Sequence, residues 1–303
     1  MSTSPAALVV VYNHKHEKNI PTVEAIYRGR FDEIFHLVPF HTAGRSNVIP
    51  VYENSHFFQG YIAQGLPSFF RPHFKHYIFV ADDLALNPAI TSANYQAFFK
   101  LDATSSFIPQ LDSMPADAKH WPNYRNGILF DPFRTRGVEV RNELPAPQEA
   151  AQRLQRHGVV NGDFTFYNVY GPLRVRGLCR YLLDRLLYRG GLQRTRYPLT
   201  FSYSDIAIVS ATCIKRFCHY CGVFAATDLF AEMAIPTALA LATDEIVVEK
   251  NLALRGRPLW SAEQLDELNQ YGHRLGELFG RFPSDCLYIH PVKLSAWTFE
   301  RCS

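Results

Sequence analysis

Long apolar runs are missing from this chain. None reaches the roughly 18 continuous apolar residues that a membrane span needs, so no transmembrane helix is expected. The opening MSTSPAALVVVYNHKHEKN has no basic residue ahead of its short apolar stretch, so no secretory leader is expected either. Charge is sparse: Asp, Glu, Lys and Arg make up 19% of the residues and form no long run, which excludes a disordered, self-repelling chain. The net charge of +3 is too small to indicate nucleic acid as a partner. The six cysteines lack regular spacing, which points to free thiols in a reducing compartment and to a cytoplasmic location. No glycine-rich phosphate loop of the P-loop type is present. Internal repeats and low-complexity tracts are absent too.

What the chain does have is apolar content: 303 residues, 47% of them hydrophobic, enough to bury a large core. Aromatic residues reach 14%, more than a core alone requires, and part of them suits a groove that holds a sugar or a base. AALVVVYN reads as a buried parallel strand, IPTVEAIYRGRF as a helix with Pro21 near its start, DEIFHLVPF as a second strand, SHFFQGYIAQGLPSFF as a helix weakened by Gly60 and Gly65, and HYIFVA as another strand. This alternation predicts βαβ units, whose ligands bind beyond the carboxyl ends of the strands. From about 105 to 200 the period is lost; APQEAAQRLQRHG, stopped by Gly158, reads as a short helix. Order returns from 201. FSYSDIAIVSA, EIVVEK and CLYIH read as strands, the stretch from Thr212 to Asp244 as mainly helical, and SAEQLDELNQYGHRLGELFG as one amphipathic helix with Ser261 and Glu263 in its first turn. The expected fold is α/β: a Rossmann-type mixed sheet flanked by helices, in one domain over 1–303. Within it, about 1–104 and about 201–303 are the two ordered halves, and about 105–200 is an irregular elaboration between them.

Three short motifs carry chemistry. In HYIFVADDLALNP, Asp82 and Asp83 follow a buried strand; two adjacent like charges there need either open water or a cation. A strand-end carboxylate pair suits Mn2+ or Mg2+, which bind oxygen ligands and often hold a diphosphate as well. In YIHPVK, His290 ends an apolar strand and Lys293 follows three residues later; an imidazole can ligate a metal and a lysine can reach a phosphate. In DLFAEMAIPTAL, Glu232 lies among apolar residues, where burial would raise its pKa toward that of a general base. Asp228 stands one helical turn earlier, and Asp205 opens a strand that can serve the same groove. Taken singly, each has a plain structural reading: a solvated turn, a core histidine, a surface lysine, a helix-surface glutamate.

Together, in this order, the motifs resemble those of GT-A-fold nucleotide-sugar glycosyltransferases, of the exostosin-like and bacterial polysaccharide-assembling types. VADD resembles the DXD motif with Ala81 in place of the first acid. The resemblance implies Asp83 as direct metal ligand, Asp82 nearer the ribose or a metal-bound water, His290 as metal ligand and Lys293 as phosphate contact. It also implies Glu232, with Asp228, as the catalytic or acceptor-binding acid, and Tyr12 and Asn13 near the nucleobase. The implied activity is metal-dependent transfer from a nucleotide sugar, most simply a UDP-sugar, to a glycan or lipid-linked glycan in surface polysaccharide synthesis. A Mg2+-dependent nucleotidyl- or phosphoryl-transferase and a non-catalytic glycan-binding protein are the rival readings.

Two segments stand apart. CIKRFCHYC groups Cys213, Cys218, His219 and Cys221, but as a single knuckle on a helix, which favours buried thiols over zinc. LRVRGLCRYLLDRLLYRGGLQRTRYP carries seven arginines, from Arg174 to Arg196, against one acid, Asp184. Leucines recur between them, as in a basic amphipathic helix on an anionic membrane, in a solvated helix face, or in a groove for an anionic acceptor.

Overall fold

The computed structural model describes residues 5–12, 16–42, 44–115, 119–134, 137–188 and 192–299. In chain order the elements are β1 (Ala6–Val11), α1 (Ile20–Tyr27), β2 (Ile34–Pro39), β3 (Val48–Val51), α2 (Gln59–Phe69), β4 (His76–Ala81), β5 (Ala85–Leu86), α3 (Tyr95–Phe99), β6 (Ser106–Ile108), α4 (Tyr124–Leu129), α5 (Pro147–Arg156), α6 (Phe166–Tyr170) and α7 (Val175–Leu187). They continue with β7 (Ile206–Ser210), α8 (Ile214–Ala226), α9 (Ala231–Ala242), β8 (Ile246–Val248), β9 (Arg255–Pro258), α10 (Ala262–Asp266), α11 (Leu275–Gly280) and β10 (Cys286–His290).

A seven-stranded sheet runs β3-β2-β1-β4-β7-β6-β8. Neighbours are parallel from β3 to β4. β7 runs against both of its neighbours, and β8 is parallel to β6. The architecture is therefore α/β with a mixed, Rossmann-like sheet. Both faces are covered, which is why β1 reads as an unbroken apolar run. Ala7, Val9 and Val11 enter one core, while Ala6, Leu8 and Val10 enter the other. Each Val or Leu so buried contributes about 1.5–3 kcal/mol. A smaller sheet, β5-β10-β9, lies at the end of β4.

Several expectations need correction. The 105–200 stretch is not wholly an elaboration, because β6 lies inside it and joins β7 to β8 in the main sheet. Three residues were too few to show a period. β3 was hidden for the same reason, with Pro50 within four residues. The stretch 261–280 is not one helix: Gly272 and His273 both take positive φ and separate the capped α10 from α11. Gly60 and Gly65 do not break α2. A Cβ on Gly65 would lie 2.5 Å from Leu37, so the glycine is what lets α2 close on β2.

Candidate functional site

Two strand pairings gather the acidic residues. β7 is antiparallel to β4, with Ile206 opposite Val80, so the residue before β7 meets the residue ending β4. The Ala81 amide accordingly donates to the Asp205 carbonyl at 2.8 Å. On the other side the Asp82 amide donates to the Val11 carbonyl at 3.0 Å, tying the Asp pair to the end of β1. β10 is antiparallel to β5, with Ile289 opposite Ala85, which carries the chain after β10 back past Asp83. There the Val292 amide donates to the Asp83 carbonyl at 2.6 Å. Residues more than 200 positions apart thus meet at the carboxyl ends of β1 and β4.

His290 Nε2 lies 3.0 Å from Asp83 Oδ1 and 3.9 Å from Asp205 Oδ1. The closer contact is an ion pair without hydrogen-bond alignment; Asp83 Oδ1 and both ring nitrogens are buried without an aligned partner. Burial works against the imidazolium, yet the Asp83 contact and the charges of Asp205, Asp83 and Asp82 outweigh it and hold the His290 pKa above its ordinary value. Asp82 is buried, and its Oδ2 accepts from Asn19 Nδ2 at 3.5 Å. Tyr203 stacks on Tyr288, with ring centroids 5.8 Å apart and planes 3° apart, and meets His290 edge-on. Its hydroxyl is buried with no hydrogen-bond partner.

Glu232 sits in the first turn of α9, an otherwise apolar helix whose docking forces it inward. Burial, reinforced by the Asp205 charge and opposed by His290, raises its pKa to about 7. Glu232 lines a cavity of about 430 Å3 together with Tyr203, Trp260, Trp121, Phe201 and His120. The site therefore joins a cluster of carboxylates and one imidazole to a pocket walled by aromatic rings and holding a carboxyl group poised near neutrality.

The other sequence candidates fall as follows. Lys293 is exposed just beyond β10. Tyr12 is fully buried, its hydroxyl 3.0 Å from His36 Nδ1, so it is a core residue below the end of β1. Asn13 lies outside the described residues. Asp228 does not share a helix face with Glu232: it is exposed in the turn between α8 and α9, with φ of 59°. Cys213, Cys218 and Cys221 are buried free thiols, and His219 pairs with Glu143. Of the residues at the site, Asn19, Tyr203, Trp260 and Trp121 escaped the sequence reading. The surplus of aromatic residues was the only signal for the three rings, and Asn19 had none.

Among the described residues no group of three or more His, Cys, Asp or Glu side chains is arranged to hold a metal ion. The pair Asp83–His290 nevertheless fits one in chemistry and spacing. Two donors at adjacent corners of an octahedral ion, each bound at roughly 2.1 Å, stand about 3 Å apart. The orphaned atoms of Asp83 and His290 have that separation. The chain matches no protein-family model, and no curated protein proved similar to it.

Proposed function

We propose that this protein is a metal-dependent glycosyltransferase of the GT-A type, moving a sugar from a nucleotide sugar to a glycan acceptor. The observation that carries this reading is the convergence of Asp82, Asp83, Asp205, His290 and Glu232 at the carboxyl ends of the strands, beside an aromatic-walled cavity. Asp83 and His290 would hold the cation, with Asp205 as the nearest further carboxylate. An imidazole among carboxylates favours Mn2+ over Mg2+, which prefers oxygen ligands alone. A bound cation supplies neutralisation of the charge that develops on a leaving diphosphate. Asp82, held by Asn19, faces the nucleotide side, and exposed Lys293 is free to swing onto a phosphate.

The cavity takes the acceptor. Trp260 and Trp121 offer flat faces to a sugar ring, and Glu232 accepts the proton of the attacking hydroxyl. With a pKa of about 7, its carboxylate is present near neutral pH yet basic enough to take that proton. This assignment belongs to an inverting reaction; in a retaining one the leaving phosphate takes the proton and Glu232 positions the acceptor.

The test is thermal stabilisation by a panel of nucleotides, with and without Mn2+, since a ligand bound to the native state raises the melting temperature by mass action. UDP is expected to raise it only with Mn2+, and Asp83→Ala is expected to abolish that shift. Absence of a shift with every nucleotide would remove the proposal's main support.

A further inference from the structure

α7 packs with the wrong side inward. Its buried or half-buried positions are Gly177, Tyr181 and Asp184, one face of the helix, continued by Tyr188 just beyond it. Asp184 is the anchor: Arg125 donates to it from Nε at 2.7 Å and Nη2 at 2.5 Å, and the Tyr170 hydroxyl donates at 3.1 Å. The opposite face is apolar and bare. Val175, Leu178, Leu182 and Leu186 form a stripe there, with Val175 81%, Leu182 52% and Leu186 82% exposed. Arg185 flanks one edge of that stripe, and Arg176 and Arg180 flank the other; all three are exposed. The only acid on the helix, Asp184, is turned inward.

A solvated helix would show its arginines and hide its leucines. This one shows both, ordered as an apolar stripe between two basic margins. That order suits a helix lying in the plane of an anionic bilayer, leucines in the acyl boundary and guanidinium groups among the headgroups. A second copy of the chain is a poorer occupant, since stripe against stripe would bring arginine against arginine with no exposed acid on either helix. We propose that α7 docks this protein on an anionic membrane surface. Arg125, which fixes α7 from its inner face, adjoins Tyr124 of the cavity wall. The proposal rests on the α7 surface and stands without the transferase reading.

Vesicle co-sedimentation tests it. The full chain is expected to bind phosphatidylglycerol-containing vesicles, to ignore pure phosphatidylcholine vesicles, and to release as salt rises. Leu182→Glu with Leu186→Glu is expected to weaken binding by about tenfold or more, because each leucine loses its burial and gains a charge. Both sites are exposed, so an unchanged melting temperature is the control for folding. A polarity-sensitive dye on Cys179, which lies on the exposed side of α7, in a Cys302→Ser background, is expected to shift to the blue with anionic vesicles. No binding to anionic vesicles at low salt would overturn the proposal. So would a wild-type dimer that the double variant turns into a monomer without any vesicle binding; the stripe would then belong to a second copy. A thermal shift by UDP with Mn2+ reads the nucleotide site separately, so either idea can fail alone.

Discussion

At the scale of the residue, Glu232 has the most to reveal. Its native pKa of about 7 stands above the ordinary value of 4.5, because burial and Asp205 disfavour its charge. The folded state therefore holds a proton that the unfolded state has lost between those two values. Stability is full below about pH 4.5 and declines as pH rises through about 7. Glu232→Gln removes that penalty. It is expected to melt with the wild type at pH 4.5 and several degrees above it at pH 8, where the penalty is on the order of 3 kcal/mol. If the proposed transferase reading holds, sugar transfer by the wild type is expected to rise through pH 7, and the Gln variant to lose at least a hundredfold in rate while keeping its nucleotide-induced shift. Equal melting at pH 8 would show that the carboxylate is not buried; full activity would show that it is not the base. The sequence displayed this residue plainly, since an acid within an apolar helix is hard to miss. It displayed Asp82, Asp83 and His290 by their positions at strand ends. Tyr203 and Trp260 could not be found that way, because an aromatic residue has the same appearance in a core and in a cavity wall.

At the scale of the element, the site depends on how β10 is held. β10 pairs with β9 through Tyr288 and Gly256, and the Tyr288 ring lies where a Cβ on residue 256 would be. The same ring stacks on Tyr203, which touches His290 edge-on. Gly256→Ala is therefore expected to push Tyr288 aside, to lower the melting temperature by several degrees, and to shrink the Mn2+-dependent nucleotide shift, although residue 256 is not among the site residues. An intact shift would mean that the small sheet absorbs the change. The buried strands β1, β2, β4 and β7 were legible because two-sided burial writes continuous apolar runs. β5, β6 and β9 were not: strands of two to four residues are specified by what they pair with, and pairing is written in no local period. α7 was legible as a basic, leucine-rich helix. Which face it turns inward was not, because that depends on Arg125, some 60 positions away.

At the scale of the whole molecule, the order β4-β7-β6-β8 interleaves the three stretches that composition separates. β4 comes from 1–104, β6 from 105–200, and β7 and β8 from 201–303. The cores are shared likewise: Phe79, Ile108, Leu199 and Leu239 belong to one cluster, and Val80, Phe107 and Ile208 to the other. Cut after residue 104, the first stretch would lose β7 from the edge of β4, a strand whose six residues are all buried in the intact chain. A long apolar edge without its partner is an aggregation site, and much of the apolar surface of both faces would meet water. The fragment 1–104 is thus expected to be insoluble, or soluble without a cooperative melting transition. The full chain is expected to lose far-UV ellipticity and near-UV aromatic ellipticity over the same temperatures. A cooperative transition in the fragment, or two separated transitions in the full chain, would divide the molecule into independent units. The two sides of the cleft, proposed above to take the nucleotide and the acceptor, would then be free to move against each other. Coincident transitions instead make the cleft one rigid body, with Asp83 and His290 held at fixed spacing by the two strand pairings that bring them together.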